Sequence, residues 1–126
     1  MTAKDSGDGS RPVVLIIQDE PILTMVMEEY VEDAGCEAVI TNNVAAAIRI
    51  LEERTDIRVV FADLDVRGSI MGLKLAAMIR DRWPPIELVL TGAVSPDHDL
   101  IPARGVFCDK PFHDAKIVAA IRTFAA

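Results

Sequence analysis

Short apolar runs recur along the chain, and each is closed by a polar residue. Val13-Val14-Leu15-Ile16-Ile17 ends at Gln18-Asp19, Val59-Val60-Phe61-Ala62 at Asp63, and Leu88-Val89-Leu90 at Thr91, while Val106-Phe107 leads to Lys110. Runs of this length without polar alternation suit parallel strands covered on both faces. Between them the apolar spacing changes to the helical period. Leu23, Val26, Met27, Tyr30 and Ala34 fall on one face of a helix expected over Pro21 to Ala34, with Glu28, Glu29, Glu32 and Asp33 on the other. Pro21 suits its first turn and Gly35 its end. The alternation predicts an α/β domain with a doubly wound, five-stranded parallel sheet flanked by helices.

The remaining elements follow from the same pattern. A short strand, Ala38 to Thr41, leads to Asn43, an N-cap for a second helix with Val44, Ala47, Ile48 and Leu51 inward. A third helix is expected over Gly72 to Arg82, stopping before Trp83-Pro84-Pro85. Strands over Ile86 to Leu90 and Gly105 to Cys108 complete the sheet, and a last helix turns Ile117, Ala120, Ile121 and Phe124 inward. Between Ser95 and Arg104, Pro96 and Pro102 leave room for a fourth helix that is short or irregular.

Composition narrows the picture. The 126 residues suffice for one domain with a sizeable core, and 51% of them are apolar. Residues 1–11 read as a disordered leader, polar and Gly/Ser-rich from Met1 to Ser10, ahead of a domain over 12–126. The longest apolar run, Val13 to Ile17, is far too short to span a membrane, so no membrane partner and a cytoplasmic location are expected. A net charge of −7 without a basic cluster argues against nucleic acid as a partner. Cys36 and Cys108 have neither disulfide-framework nor zinc spacing and read as buried small hydrophobes. His98 and His113 neighbour no cluster suited to catalysis and read as solvated polar residues.

Strand ends of an open parallel sheet converge on one crevice. Asp63 delivered there beside Asp19, Thr91 and Lys110 makes a Mg2+-dependent phosphoryl-acceptor site plausible on chemical grounds. The carboxylates supply hard oxygen ligands, and the ammonium supplies a fixed charge for phosphoryl oxygens. Each residue also has a plainer use: Asp19 and Glu20 as helix-start acids before Pro21, Thr91 as a strand residue, Lys110 as a solvated charge.

Four segments in order carry a resemblance. Ile17-Gln18-Asp19-Glu20-Pro21, Phe61-Ala62-Asp63-Leu64-Asp65, Leu90-Thr91-Gly92 and Asp109-Lys110-Pro111-Phe112 resemble the receiver domain of two-component response regulators, from about Val13 to the chain's end. The resemblance implies a flavodoxin-like (βα)5 fold and a phosphoryl group accepted on Asp63 from a sensor histidine kinase or histidine phosphotransfer protein. It also implies Mg2+ or Mn2+ held by Asp19, Asp63 and the Asp65 main-chain carbonyl, with Thr91 and Lys110 on the phosphoryl oxygens. Phe107 matches an aromatic that changes rotamer on activation, and Lys110-Pro111 matches a bond that is usually cis. Output would pass by contact to a downstream protein, the chain acting as a stand-alone module and not as a turnover enzyme.

Two departures modify that expectation. Gln18 stands where the family usually has a first acid that reaches the metal through water; its carbonyl oxygen can serve there without charge, so weaker metal binding is expected. Val66-Arg67 replace a frequent Leu-Pro, and Gly72 falls one position late, implying an extra loop residue. A degenerate receiver acting as a phosphorylation-independent adaptor is therefore the alternative. A haloacid-dehalogenase-like phosphatase is a more distant one, since Asp63-Leu64-Asp65-Val66 fits its opening motif but Asp114 is the only acid after Lys110.

Overall fold

The computed structural model describes residues 11–65, 69–93, 101–102 and 104–126. In chain order its elements are β1 (Val13–Ile17), α1 (Pro21–Asp33), β2 (Glu37–Thr41), α2 (Val44–Glu53), β3 (Ile57–Asp63), α3 (Ser69–Arg82), β4 (Glu87–Gly92), β5 (Gly105–Asp109) and α4 (Asp114–Ala125). All pairings are parallel, and the strand order is β2-β1-β3-β4-β5. This is the flavodoxin-like arrangement, and the direction of winding reverses between β1 and β3, where a crevice opens at the carboxyl ends of the strands.

The period-2 alternation of the strands sorts the core into two layers. Val13, Leu15, Ile17, Val60, Ala62, Leu88 and Leu90 pack with Ala47 and Leu51 of α2 and Leu75, Ala76 and Ile79 of α3. Val14, Ile16, Val59, Phe61, Val89 and Cys108 pack with Met27, Tyr30 and Val31 of α1 and Ile117 and Ile121 of α4. Extending the second alternation by one step puts Gln18, Asp63 and Thr91 on the face that α1 covers. Asp63 is level with Thr91, and Thr91 with Cys108, in the strand register.

The expected boundaries shift by a few residues. α1 begins at Pro21 as expected and closes at Gly35, whose φ of +81° is a left-handed conformation natural to glycine. Asn43 caps α2, its side chain accepting the Ala46 N–H at 2.8 Å. α3 starts at Ser69 rather than Gly72, because a glycine in the first turn does not prevent the helix from beginning upstream. β3 and β4 each run further than their apolar cores, so that Asp63 and Thr91 belong to the strands themselves. Most of the Ser95–Arg104 segment expected to carry a short helix, His98, the Val66-Arg67 departure and the leader through Ser10 lie outside the described residues. Both cysteines are buried thiols. Among the described residues, no helix is long and apolar enough to cross a membrane.

Candidate functional site

Asp63 ends β3, between β1 and β4 in the sheet. It is 3% exposed, and a carboxylate so buried has to be compensated by donors or charge. Its Oδ2 accepts from Lys110 Nζ at 2.8 Å and from Gln18 Nε2 at 2.5 Å, and its Oδ1 accepts the Asp65 N–H at 2.7 Å. Lys110 follows β5 and continues the parity of Cys108 toward the same face. Its ammonium also contacts Asp65 Oδ2 at 3.0 Å. Burial pulls the Lys110 pKa down, but the hydrogen bonds it donates to Asp63 and Asp65, with their negative charge, outweigh it and the net shift is upward, so the charge is secure at neutral pH.

Asp65 is folded into the site by its side chain as well. Its Oδ2 accepts the Ala93 N–H at 2.8 Å. Gly92 leaves room beside it: a Cβ there would lie a tight 3.2 Å from Asp65 Oδ1 and 3.6 Å from the Phe107 ring. Thr91 is fully buried, and its hydroxyl donates to the Cys108 carbonyl at 2.7 Å, pointing along the sheet toward β5. Phe107, adjacent to Cys108 in the chain, packs against the opposite core layer. The Lys110-Pro111 peptide bond is cis.

Asp19 is exposed at the rim, directly after Gln18. Its plainer reading as a helix cap loses ground, because the N-cap of α1 is Glu20 and makes no side-chain capping bond. Gln18 donates through its amide nitrogen to Asp63 Oδ2. Its Oε1 accepts the Asp19 and Glu20 N–H groups, both at 3.0 Å, which leaves the amide nitrogen to face Asp63. Main-chain donors one and two positions away decide which end of the amide faces inward, and sequence reasoning missed them.

A model of the response regulator receiver domain matches residues 14–122. The chain belongs to that family. Solved structures similar to this receiver include a response regulator receiver protein from Sinorhizobium medicae WSM419, at 22% identity and a TM-score of 0.81, covering 91% of this chain and 94% of that one. A receiver protein from Pseudomonas putida matches at 20% identity and a TM-score of 0.75, covering 91% of this chain and 98% of that one. A CheY-like receiver domain protein from Methanospirillum hungatei JF-1 matches at 12% identity and a TM-score of 0.75, covering 90% of this chain and 93% of that one. At such identities the likeness is one of fold.

Within the receiver fold, the oxygen donors suited to a divalent ion are the Asp19 and Asp63 carboxylates and the Asp65 main-chain carbonyl. They are hard ligands and fit Mg2+ or Mn2+ in kind. They are one carboxylate short in charge, and among the described residues no group of three or more His, Cys, Asp or Glu side chains is gathered as a metal cluster.

A further contact ties the Lys110 turn to α1. The Tyr30 hydroxyl donates to Asp114 Oδ1, and the Tyr30 ring meets Phe112 edge-on with centroids 5.8 Å apart. Nothing local signals this pair, because Asp114 lies 84 positions after Tyr30.

Proposed function

We propose that this receiver accepts a phosphoryl group on Asp63 from a phosphohistidine of a sensor kinase or phosphotransfer protein and passes the signal on by protein contact. The observation that carries the reading is the buried Asp63 carboxylate paired with Lys110 at 2.8 Å, level in the sheet with Thr91. A buried nucleophile beside a fixed cation, at the mouth of a crevice, is suited to phosphoryl capture. The phosphorus–nitrogen bond of the donor breaks as an oxygen of Asp63 bonds to phosphorus, and the imidazole leaves to take a proton from solvent. A divalent ion bound by Asp19, Asp63 and the Asp65 carbonyl would neutralise charge on the phosphoryl oxygens. Lys110 swings from Asp63 Oδ2 to a phosphoryl oxygen, and its point charge on a flexible stem suits that movement. Thr91 exchanges the Cys108 carbonyl for another phosphoryl oxygen, so the modification is felt at β5. Water later cleaves the acyl phosphate and restores Asp63, which makes the chain a resettable signalling module rather than a turnover enzyme.

Gln18 favours one competing reading, an adaptor that keeps the fold without phosphorylation, because Asp63 is already well supplied with donors. Incubation with phosphoramidate and Mg2+, followed by intact mass, separates the two. One added phosphoryl mass on the wild type and none on Asp63→Asn is the expected result; an unlabelled wild type, or equal labelling of the mutant, would overturn the proposal.

A further inference from the structure

Gln18 is 2% exposed, and each of its polar atoms is engaged. Its nitrogen lies 2.5 Å from Asp63 Oδ2 and 3.4 Å from Met27 Sδ, while its oxygen accepts two main-chain N–H groups at 3.0 Å. The amide cannot turn over without setting its NH2 against those two donors. A donor therefore faces Asp63, and it is held there from behind. With Lys110 on the same oxygen and the Asp65 N–H on the other, donors fill three places on a carboxylate that offers about four.

Two consequences follow from charge and competition. Asp63 is held in its buried position by three protein donors, the Lys110 ammonium, the Gln18 amide and the Asp65 N–H. A cation that draws on Oδ2 meets two donors there: Lys110 keeps Asp65 Oδ2 when it gives way, whereas the Gln18 NH2 is left with only the Met27 thioether, a weak acceptor. We propose that Gln18 is a latch, a positioning residue that holds Asp63 in the cation-free receiver and competes with a divalent ion for its Oδ2. Metal binding is then weak because of what Gln18 donates, and not only because of the charge it lacks. The inference rests on the reading of this crevice as a metal-assisted phosphoacceptor site.

Substitution separates donation from charge. Gln18→Met keeps length and apolar bulk but has neither a donor nor a charge; Gln18→Asp adds a charge. Mg2+ is titrated into each full chain and followed by the amide resonances of Asp65 and Ala93. The latch predicts that Gln18→Met binds Mg2+ about fivefold more tightly than wild type, the scale of one lost competing hydrogen bond, and Gln18→Asp more tightly still. If lack of charge alone explained weak binding, Gln18→Met would match the wild type, and that result would overturn the latch. Absence of Mg2+ binding by every variant, Gln18→Asp included, would overturn it too.

A measurement on the wild type covers the case in which Gln18→Met fails to fold. The Gln18 side-chain NH2 resonances should move toward free-amide values as Mg2+ saturates, whereas NH2 signals unmoved at saturation would contradict displacement. None of these readouts involves phosphate. The predicted order of affinities with no labelling of Asp63 would support the latch and remove the phosphoacceptor reading. Labelling without that order would do the reverse.

Discussion

Tyr30 shows how much a single side chain can connect in this molecule. It is buried on α1, touches Phe112 beyond the cis peptide bond, and donates to Asp114 at the start of α4. Burial first, then the hydrogen bond and charge of Asp114, raise its pKa to about 12. The neutral phenol is thus the form the fold prefers. Because the folded value lies above the unfolded one, near 10, this contribution to stability is complete below pH 10 and is lost as pH rises through about 12. Tyr30 is the only tyrosine, so the phenolate absorbance near 295 nm reports it alone. The titration midpoint should lie near pH 12 in the wild type. In Asp114→Ala it should fall only part of the way toward 10, since burial remains. A wild-type midpoint near 10 would show that neither burial nor Asp114 acts on the phenol.

At the scale of elements, α2 gives a clear division between packing and capping. It has ten residues, of which Ala47 and Leu51 are fully buried, with Val44, Ile48 and Ile50 packed partly buried against the same core layer. Leu51→Ala should cost about 2–5 kcal/mol, and Asn43→Ala, which removes the cap, about 1 kcal/mol. Met25→Ser, at a position 68% exposed on α1, should stay within about 0.5 kcal/mol of wild type. Urea unfolding with unchanged slope checks the order; equal losses at Leu51 and Met25 would contradict the core assignment. The same division explains what the sequence made legible. Apolar runs closed by Asp63 and Thr91, the Asn43 cap and the Gly35 stop were readable because each is a local signal with one physical solution. The direction of the Gln18 amide was not, since glutamine carries donor and acceptor on one group and only the fold decides which faces inward. Tyr30 with Asp114, and Arg122 with the Asp33 carbonyl at 2.9 Å, were hidden by distance along the chain.

Among the described residues, these contacts tie one side of the sheet more firmly than the other. α1 and α4 are joined by Tyr30 with Asp114 and by Arg122 with the end of α1, so that side of the sheet resists rearrangement. The other end of the site is held more lightly. Beyond the strand pairing, the Thr91 side chain is tied to β5 by one hydroxyl bond to Cys108, worth about 1 kcal/mol net, and Phe107 lies one residue away, near Gly92 and only partly buried. A phosphoryl group on Asp63 that draws the Thr91 hydroxyl away from Cys108 would free that carbonyl and open space beside Phe107. Hydrogen exchange with and without beryllofluoride at saturating Mg2+ should therefore change most from Thr91 to Ala93 and from Gly105 to Lys110. α2, remote from the Thr91 bond, should change least. Thr91→Ala should abolish most of the change in β5 while leaving beryllofluoride bound. A response confined to α1 and α2, or one in β5 that persists in Thr91→Ala, would place the output of this receiver elsewhere.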